Sequence, residues 1–220
     1  MKIIELGATV TASNDADAQA LREQLKAQGV LLVNVMSAAG SGKTTLLSRI
    51  IRDIAPLKVG VLEADLASSV DAERIAALGA KAIQVHTDGM CHMDAGMTAA
   101  AVREIGAGDC DLLFLENVGN LICPAEYDTG AGKNIMLLSV PEGDDKPLKY
   151  PLMFQKSDAV VITKTDALGY FPFDMERCIE RIRRLNPEAK IFPVSAKTGD
   201  NMETLENWLH EALDEWRKQA

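Results

Sequence analysis

The chain has 220 residues, of which 47% are hydrophobic and 25% are charged. Such a composition predicts one globular domain with a sizeable core, and it excludes both a disordered chain and a repeat array. The formal net charge of -9 argues against nucleic acid or an anionic membrane as the main partner, because either surface requires a clustered basic face on the protein.

Neither a membrane span nor a secretory signal is evident along the chain. No run reaches the roughly 18 apolar residues that cross a bilayer, and the first residues lack the charged and apolar regions of a signal peptide. We therefore expect a cytoplasmic protein. The cysteines do not make a disulfide framework at this chain length, so free thiols or metal ligands are expected in a reducing compartment. They are Cys91, Cys110, Cys123 and Cys178.

Short β-branched runs recur along the chain, and helix-like segments lie between most of them. The runs span residues 31–36, 58–63, 80–85, 111–115, 135–140, 158–163 and 190–194. This alternation predicts an α/β fold with a mostly parallel sheet of about seven strands and helices on both faces. We expect a single domain over residues 1–220, with residues 1–29 as an N-terminal helical extension.

The first and last helices are marked by their flanking residues. The first is predicted over residues 15–28, starting at the polar cluster 13–15 and stopping at Gly29. The last is predicted over residues 201–217. Residues 141–147 combine proline, glycine and acidic side chains, which interrupt regular structure, and they are predicted to form a mobile loop or a surface turn.

The segment after the first predicted strand has the pattern of a phosphate-binding loop, Gly40-Ser41-Gly42-Lys43-Thr44-Thr45. A strand that breaks into a glycine-rich turn and restarts as a helix points its N–H groups into one concavity, at the positive end of the helix dipole. Lys43 is predicted to reach the β- and γ-phosphates of a nucleotide, and the Thr44 hydroxyl to bind Mg²⁺. Ser37 occupies the place of the first glycine in the Walker pattern.

Polar residues follow later strands, where ligands of parallel α/β sheets bind. The segments are Glu63-Ala64-Asp65, Glu116-Asn117-Val118-Gly119, Lys164-Thr165-Asp166 and Ser195-Ala196-Lys197. The Asp166 carboxylate is suited to accept hydrogen bonds from guanine N1 and N2, while the Lys164 stem covers the base and the Ala196 N–H donates to O6. Adenine offers no such donors to a carboxylate, so this pattern predicts GTP rather than ATP.

Two acidic residues are candidates for organising Mg²⁺ or the attacking water. Glu116 ends an apolar strand, and Asp65 follows another. Gly119 is predicted to bring its backbone close to the γ-phosphate. The alternative is that both acids cap the helices that follow them. The sequence does not rank Asp65 against Glu116 as the catalytic base.

A candidate transition-metal site comprises Cys91, His92 and Cys123. Adjacent Cys91 and His92 combine a soft and a borderline ligand, which suit Ni²⁺ or Zn²⁺ better than Mg²⁺. Cys123 follows the segment that ends at Gly119, so a ligand there is placed to move with that segment. The alternative is a core thiol beside a structural imidazole. The remaining candidates are interpreted as structural or surface residues: His86, Cys110, Cys178 and His210.

Over nearly its whole length the chain resembles the nickel-incorporation GTPases of hydrogenase maturation, the HypB type. The resemblance rests on residues 37–47, 63–75, 91–95, 116–124 and 138–151. It implies a P-loop NTPase fold with three layers, hydrolysis of GTP to GDP with Mg²⁺, and Lys43, Asp65 and Glu116 as catalytic residues. It also implies that Cys91, His92 and Cys123 bind Ni²⁺ or Zn²⁺.

The resemblance further implies a homodimer favoured by GTP, a small nickel- or zinc-binding accessory protein as partner, and a hydrogenase large-subunit precursor as client. The chain departs from the family pattern at Ala38-Ala39, Ala64, Thr163 and residues 87–90. No N-terminal segment rich in cysteine or histidine is present, so storage of several ions is not expected.

Three alternatives remain open. One is a metallochaperone GTPase that delivers nickel to urease or another nickel enzyme, or that handles zinc. Another is a GTP-dependent interaction switch in which Cys91 and Cys123 are structural. A P-loop kinase for a small molecule is the third alternative, and it conflicts with Asp166 as a reader of guanine.

Overall fold

The structure is a computed structural model that describes residues 6–64, 74–87 and 89–219. Its strands are β1 (Leu31–Ser37), β2 (Val59–Glu63), β3 (Lys81–Gln84), β4 (Leu112–Glu116), β5 (Lys133–Ser139), β6 (Ala159–Thr163) and β7 (Lys190–Pro193). Each predicted strand is therefore confirmed. Its helices are α1 (Leu6–Ala27), α2 (Lys43–Asp53), α3 (Ala95–Glu104), α4 (Cys123–Glu126), α5 (Lys146–Lys149), α6 (Pro151–Gln155), α7 (Met175–Leu185) and α8 (Met202–Lys218).

The seven strands form one sheet in the order β3-β2-β4-β1-β5-β6-β7, and all of the recorded pairings are parallel. Every residue of β1, β2, β4 and β6 is buried. Strands covered on both faces require apolar side chains on both sides, which explains the continuous β-branched runs in the sequence. β1 lies at the centre of the sheet, between β4 and β5, so the loop that follows it opens at the middle of the carboxyl edge.

Two apolar cores hold the helices to the sheet. The larger core includes side chains of α2 and α8, with Leu47 and Leu209 each 1% exposed. The smaller core packs α6 and α7 against β5 and β6, and it includes Phe154 and Ile182. Within the ranges that the structure describes, no helix is long and apolar enough to cross a membrane.

The first helix begins earlier than the sequence predicts. It starts at Leu6 rather than near residue 15, so the polar cluster 13–15 lies inside the helix. Asn14 does not cap this helix, because its side chain contacts the start of a different helix. Its Oδ1 accepts from the N–H of Ala95 at the start of α3, and its Nδ2 donates to the carbonyl oxygen of Asp128. The predicted stop at Gly29 is confirmed, because Gly29 has a φ of 68° directly after the helix.

Of the two alternatives predicted for residues 141–147, a mobile loop or a surface turn, the structure favours the turn. Residues 140–142 form a 3₁₀ turn, and α5 begins at Lys146. The turn is closed by Glu142, whose carboxylate accepts from the N–H and the hydroxyl of Ser139 at 2.9 and 2.7 Å. Asp144 then pairs with Arg181 of α7. Local capping and one ion pair therefore give this segment regular structure.

Candidate nucleotide and metal site

The predicted phosphate-binding loop joins β1 to α2 and adopts a conformation that requires glycine at two positions. Gly40 and Gly42 have φ values of 76° and 98°, in the left-handed region that other residues rarely occupy. Gly42 is the residue before α2, so the N–H groups of the first helical turn face the loop. The Ser41 hydroxyl is buried, and the described residues offer it no hydrogen-bond partner. This cradle fits a bound anion.

Lys43 lies at the start of α2 and is only 5% exposed. Its Nζ donates to the Ser37 hydroxyl oxygen at 3.2 Å, and that hydroxyl donates to the carbonyl of Ala38 at 2.8 Å. Ser37, in the place of the Walker glycine, therefore holds the lysine ammonium against the end of β1. The ammonium group is the one that would contact the phosphates.

Two buried carboxylates lie side by side beside the loop. Glu63 and Glu116 end β2 and β4 at paired positions, and each is 2% exposed. The Thr44 hydroxyl donates to the Glu116 carboxylate at 3.2 Å. Burial, opposed by the Lys43 charge and assisted by the Glu63 carboxylate, raises the pKa of Glu116 to about 8. Hydroxyl and carboxylate oxygens with excess negative charge fit Mg²⁺.

The sequence places Glu63 in the motif at the end of β2 but indicates no role for it. Only the strand register brings Glu63 beside Glu116. The other predicted acid, Asp65, lies outside the described residues. Its assignment to catalysis and to Mg²⁺ therefore stays a prediction.

Free of metal and nucleotide, the protein is expected to lose stability as the pH rises from 4.5 towards 8. Unfolded Glu116 releases its proton above its ordinary pKa of 4.5, whereas folded Glu116 keeps the proton up to about 8. Unfolding is therefore increasingly favoured across this window. Denaturant titrations of the wild type and of Glu116→Gln in the presence of a chelator measure the effect. The variant should be less sensitive to pH, and equal sensitivity of the two proteins would contradict this assignment.

The base-reading segment contacts the phosphate-binding loop directly. Thr163, which replaces the usual asparagine of the guanine motif, donates through its hydroxyl to the carbonyl of Ser41 at 2.8 Å. Lys164 has a φ of 61°, and its Nζ donates to the carbonyl of Gly40 at 2.7 Å. Thr163 therefore joins its segment to the phosphate-binding loop, although it replaces the asparagine of the family pattern.

Asp166 lies next to the last predicted segment, residues 195–197. The Ser195 hydroxyl donates to Asp166 Oδ1 at 2.7 Å, and the Lys197 Nζ lies 3.9 Å from Oδ2. Both contacts hold the carboxylate in one orientation. Tertiary structure thus brings the two halves of the predicted guanine site together.

A cavity of about 310 Å³ lies between the first turns of α2 and residues 196–197. Its lining includes Thr44, Thr45, Ala196 and Lys197 from the predicted nucleotide set. The walls also contain cationic side chains that sequence reasoning did not single out, Arg49, Arg52 and Arg74. Their charge suits a phosphorylated ligand in an otherwise acidic protein. The signal in the sequence was weak, because arginines on a helix usually face solvent.

Gly119 connects the end of β4 to the phosphate-binding loop. A Cβ atom at this position would lie 3.0 Å from both the backbone nitrogen and the Cα of Ala39. The two backbones therefore touch, and only glycine allows this approach. The segment that ends at Gly119 is in contact with the loop, as the prediction for this residue requires.

The structure brings Cys91, His92 and Cys123 together. One ligand atom of each lies within 4.8 Å of the others, and no other such group of three or more occurs in the part of the chain that the structure describes. Cys91 is exposed, His92 is buried, and Cys123 is the first residue of α4. Two thiols and an imidazole form a donor set for Ni²⁺ or Zn²⁺. Cys110 and Cys178 are buried elsewhere, and His86 and His210 are exposed.

Neighbouring side chains orient these ligands. The His92 ring stacks on Tyr127 with centroids 3.8 Å apart and planes 15° apart. Burial lowers the pKa of His92, which favours the neutral imidazole that binds metals. The neighbouring Cys91 thiol raises the pKa of Cys123. The Asn120 side-chain amide lies 3.6 Å from the Cys123 sulfur.

Comparisons with known proteins agree with this geometry. The profile of the CobW/HypB/UreG nucleotide-binding domain matches residues 31–193. The hydrogenase maturation factor HypB of Rhizobium leguminosarum is 43% identical over 209 residues, which are 94% of this chain and 70% of that protein. The hydrogenase/urease maturation factor HypB of Helicobacter hepaticus is 42% identical over 215 residues, covering 96% and 88% of the two chains.

Solved structures extend the similarity to the fold. The crystal structure of HypB from Helicobacter pylori in complex with nickel has a TM-score of 0.87 and 42% identity, and it covers 92% of this chain and 96% of that one. HypB from Archaeoglobus fulgidus also gives a TM-score of 0.87, at 38% identity, covering 92% and 99% of the two chains. The resemblance found in the sequence and the P-loop NTPase fold are therefore confirmed. The chain belongs to the CobW/HypB/UreG family and, within it, to the HypB proteins.

Proposed function

We propose that the protein is a GTP-hydrolysing nickel metallochaperone for hydrogenase maturation, in which the bound nucleotide sets metal affinity and dimerisation. One observation carries the proposal. The segment from Glu116 to Cys123 begins at a carboxylate in contact with Thr44, touches the phosphate-binding loop at Gly119 and ends at a sulfur of the metal cluster. A change at the terminal phosphate therefore has a direct route to the metal.

The nucleotide would lie along the loop and the cavity beside it. Backbone N–H groups of the loop bind the phosphates, Lys43 neutralises the β- and γ-phosphates, and Gly119 faces the terminal phosphate. Asp166 accepts from guanine, the Lys164 stem covers the ring and Ala196 donates to O6. The remaining loop and guanine-site residues complete the proposed nucleotide set: Gly40, Ser41, Gly42, Thr45, Ser195 and Lys197.

Thr44 and Glu116 would hold Mg²⁺, with Glu63 beside them and Asp65 as a further candidate. The ion would neutralise charge that develops on the phosphate oxygens during hydrolysis. Either acid could orient the attacking water, Glu116 from the end of β4 or Asp65 after β2.

Nickel is the cargo in this proposal, and Cys91, His92 and Cys123 would bind it. Three ligands leave a tetrahedral or square-planar ion one ligand short, so a cysteine from a second copy, or water, would complete the coordination. Dimerisation and metal binding would then support each other. Zn²⁺ accepts the same donors and is the competing ion.

The same proposal assigns the remaining partners. A small nickel- or zinc-binding accessory protein would supply the metal, and a hydrogenase large-subunit precursor in the cytoplasm would receive it. Residues 1–220 would form one GTPase domain, with residues 1–29 as a helical extension. The basis is family membership together with the exposed thiol of Cys91, which is accessible to a donor or an acceptor of the ion.

Two assays on the purified protein test the proposed activity. Hydrolysis is measured with GTP and with ATP, and nickel content is measured in a hydrogenase large-subunit precursor incubated with the nickel-loaded protein. We expect hydrolysis of GTP in preference to ATP, and nickel in the precursor only when GTP is supplied. Equal use of ATP, or transfer that ignores the nucleotide, would contradict the proposal.

A second client is favoured by one comparison. The Helicobacter hepaticus relative is named a hydrogenase/urease maturation factor, at 42% identity over 96% of this chain. Urease is therefore the alternative acceptor of the metal. Replacing the hydrogenase precursor with apo-urease in the transfer assay separates the two clients, because only the true client should acquire nickel.

A further inference from the structure

Asn117 is a fully buried amide between the two proposed sites. It directly follows Glu116 at the end of β4 and is 0% exposed. Its side-chain Oδ1 accepts from the N–H of Met93 at 3.2 Å and from the N–H of Val118 at 2.9 Å. Met93 is the residue after His92. Asn117 therefore fixes the backbone of the Cys91-His92 segment to the end of the central sheet.

Asn34 on the central strand anchors Asn117 in turn. The Asn117 Nδ2 donates to Oδ1 of Asn34 on β1 at 3.0 Å. A further hydrogen bond of 3.0 Å joins the Nδ2 of Asn34 to Oδ1 of Asn134, its paired position on β5, and completes a chain of three amides. A buried hydrogen bond is costly to break, so the contact with Asn34 gives Asn117 a fixed position.

The other half of the metal cluster is held differently. The Asn120 Oδ1 accepts from the N–H groups of Ile122 and Cys123 at 2.8 and 3.3 Å. Asn120 follows Gly119, whose backbone touches the phosphate-binding loop. Cys123 is therefore tied to the part of the segment that contacts the loop, whereas His92 is tied to the sheet.

We propose that Asn117 is a positioning residue that holds the Cys91-His92 half of the metal site still while the Cys123 half moves with the nucleotide. The inference rests on the proposed function and names the residue that makes the switch effective. A change in the distance between the two halves changes metal affinity only if one half is fixed. Asn117 provides that fixed point.

The stacking of His92 on Tyr127 explains why the anchor is needed. Tyr127 directly follows α4, which begins at Cys123, so the stack joins the imidazole to the half that moves. Without the hydrogen bond from Met93 to Asn117, the His92 segment would lose its tie to the end of β4 and would be freer to follow α4. The three ligands would then move together, and the nucleotide would no longer change their separation.

The coupling ratio tests this inference. It is the dissociation constant for Ni²⁺ with GDP bound divided by that with a non-hydrolysable GTP analogue bound, measured by calorimetry. We expect the wild-type ratio to differ from one by roughly 5- to 150-fold. In Asn117→Ala it should fall to within about twofold of one. The matched control is Asn134→Ala, which removes the same group from the far end of the amide chain without touching Met93, and it should keep the wild-type ratio.

Backbone hydrogen exchange in the wild-type protein tests the inference without any variant, so it does not require Asn117→Ala to fold. The Met93 amide should exchange equally slowly in both nucleotide states, while the Cys123 amide exchanges at different rates. A Met93 rate that changes with the nucleotide would overturn the inference.

The outcomes separate the inference from the function on which it rests. Equal nickel affinity of the wild type in both nucleotide states would refute the switch and the inference together. If the wild type shows a ratio different from one and Asn117→Ala keeps that ratio, the role of Asn117 is refuted and the switch is not. A ratio that falls to one in both Asn117→Ala and Asn134→Ala would also refute the inference, because the effect would then arise from a disturbed sheet and not from the lost contact with Met93.

Discussion

Asp166→Asn is expected to reverse the base preference of the protein, from guanine to xanthine nucleotides. In the proposed site the carboxylate would accept from guanine N1 and N2, whereas an asparagine amide would donate to the carbonyl that xanthine has in place of the N2 amino group. Sites built to hydrogen-bond one substrate group reject analogues without it by about 10⁴-fold, so the preference should change by roughly that factor. Equilibrium titration with fluorescent GDP and its xanthine analogue measures the change.

Asp200→Asn is the matched control for this prediction. It removes the same charge from the adjoining loop after β7, where Asp200 contributes its backbone carbonyl to the N–H of Ser195 at 3.1 Å. Asp200→Asn should keep the wild-type preference for GDP over the xanthine analogue. If Asp166→Asn also kept the guanine preference, the nucleotide orientation proposed here would be wrong.

The second large effect is expected from Cys123→Ala, which should lower the affinity for nickel by more than about 10²-fold. Loss of groups that merely orient metal ligands costs 10- to 100-fold, and loss of a thiolate ligand costs more. Nucleotide affinity in the absence of metal should change little, since Cys123 lies beyond the residues that face the phosphates. Competition with a chromophoric chelator measures the nickel affinity.

Cys110→Ala serves as the control, because Cys110 is a buried thiol outside the metal cluster. It should bind nickel like the wild type once its folding has been verified by thermal unfolding. If Cys123→Ala bound nickel as tightly as the wild type, the Cys123 sulfur would not be a ligand of the metal. The cysteines would then be structural, as the interaction-switch alternative requires.

The sheet could be predicted from the sequence because parallel buried strands select β-branched and apolar residues at every position. The start of the first helix could not, because the Asn14 side chain resembles a helix cap while tertiary contacts use it at Ala95. For residues 141–147 the sequence left a mobile loop and a surface turn both open. The turn is specified by a capping box between Ser139 and Glu142, which the proline and glycine of the segment conceal.

The candidate site likewise contains residues that could be predicted from the sequence and residues that only the fold brings into place. The phosphate and guanine residues are contiguous in the sequence, and their chemistry is visible in short motifs. Glu63 acquires its place only through the register with Glu116, and Asn117 only through its contact with Met93. The spacing of Cys91 and Cys123 does not reveal their proximity either. The family resemblance implied it, and the fold brings their sulfurs within 4.8 Å of one another and of the imidazole.

Coupling between the two sites is the central claim, and it is reciprocal by thermodynamic necessity. The most direct measurement determines the affinity for GDP and for a non-hydrolysable GTP analogue, each with and without saturating Ni²⁺. We predict that nickel changes the ratio of the two affinities by roughly 5- to 150-fold. If nickel left this ratio unchanged, the nucleotide and the metal would bind independently and the coupling would be contradicted.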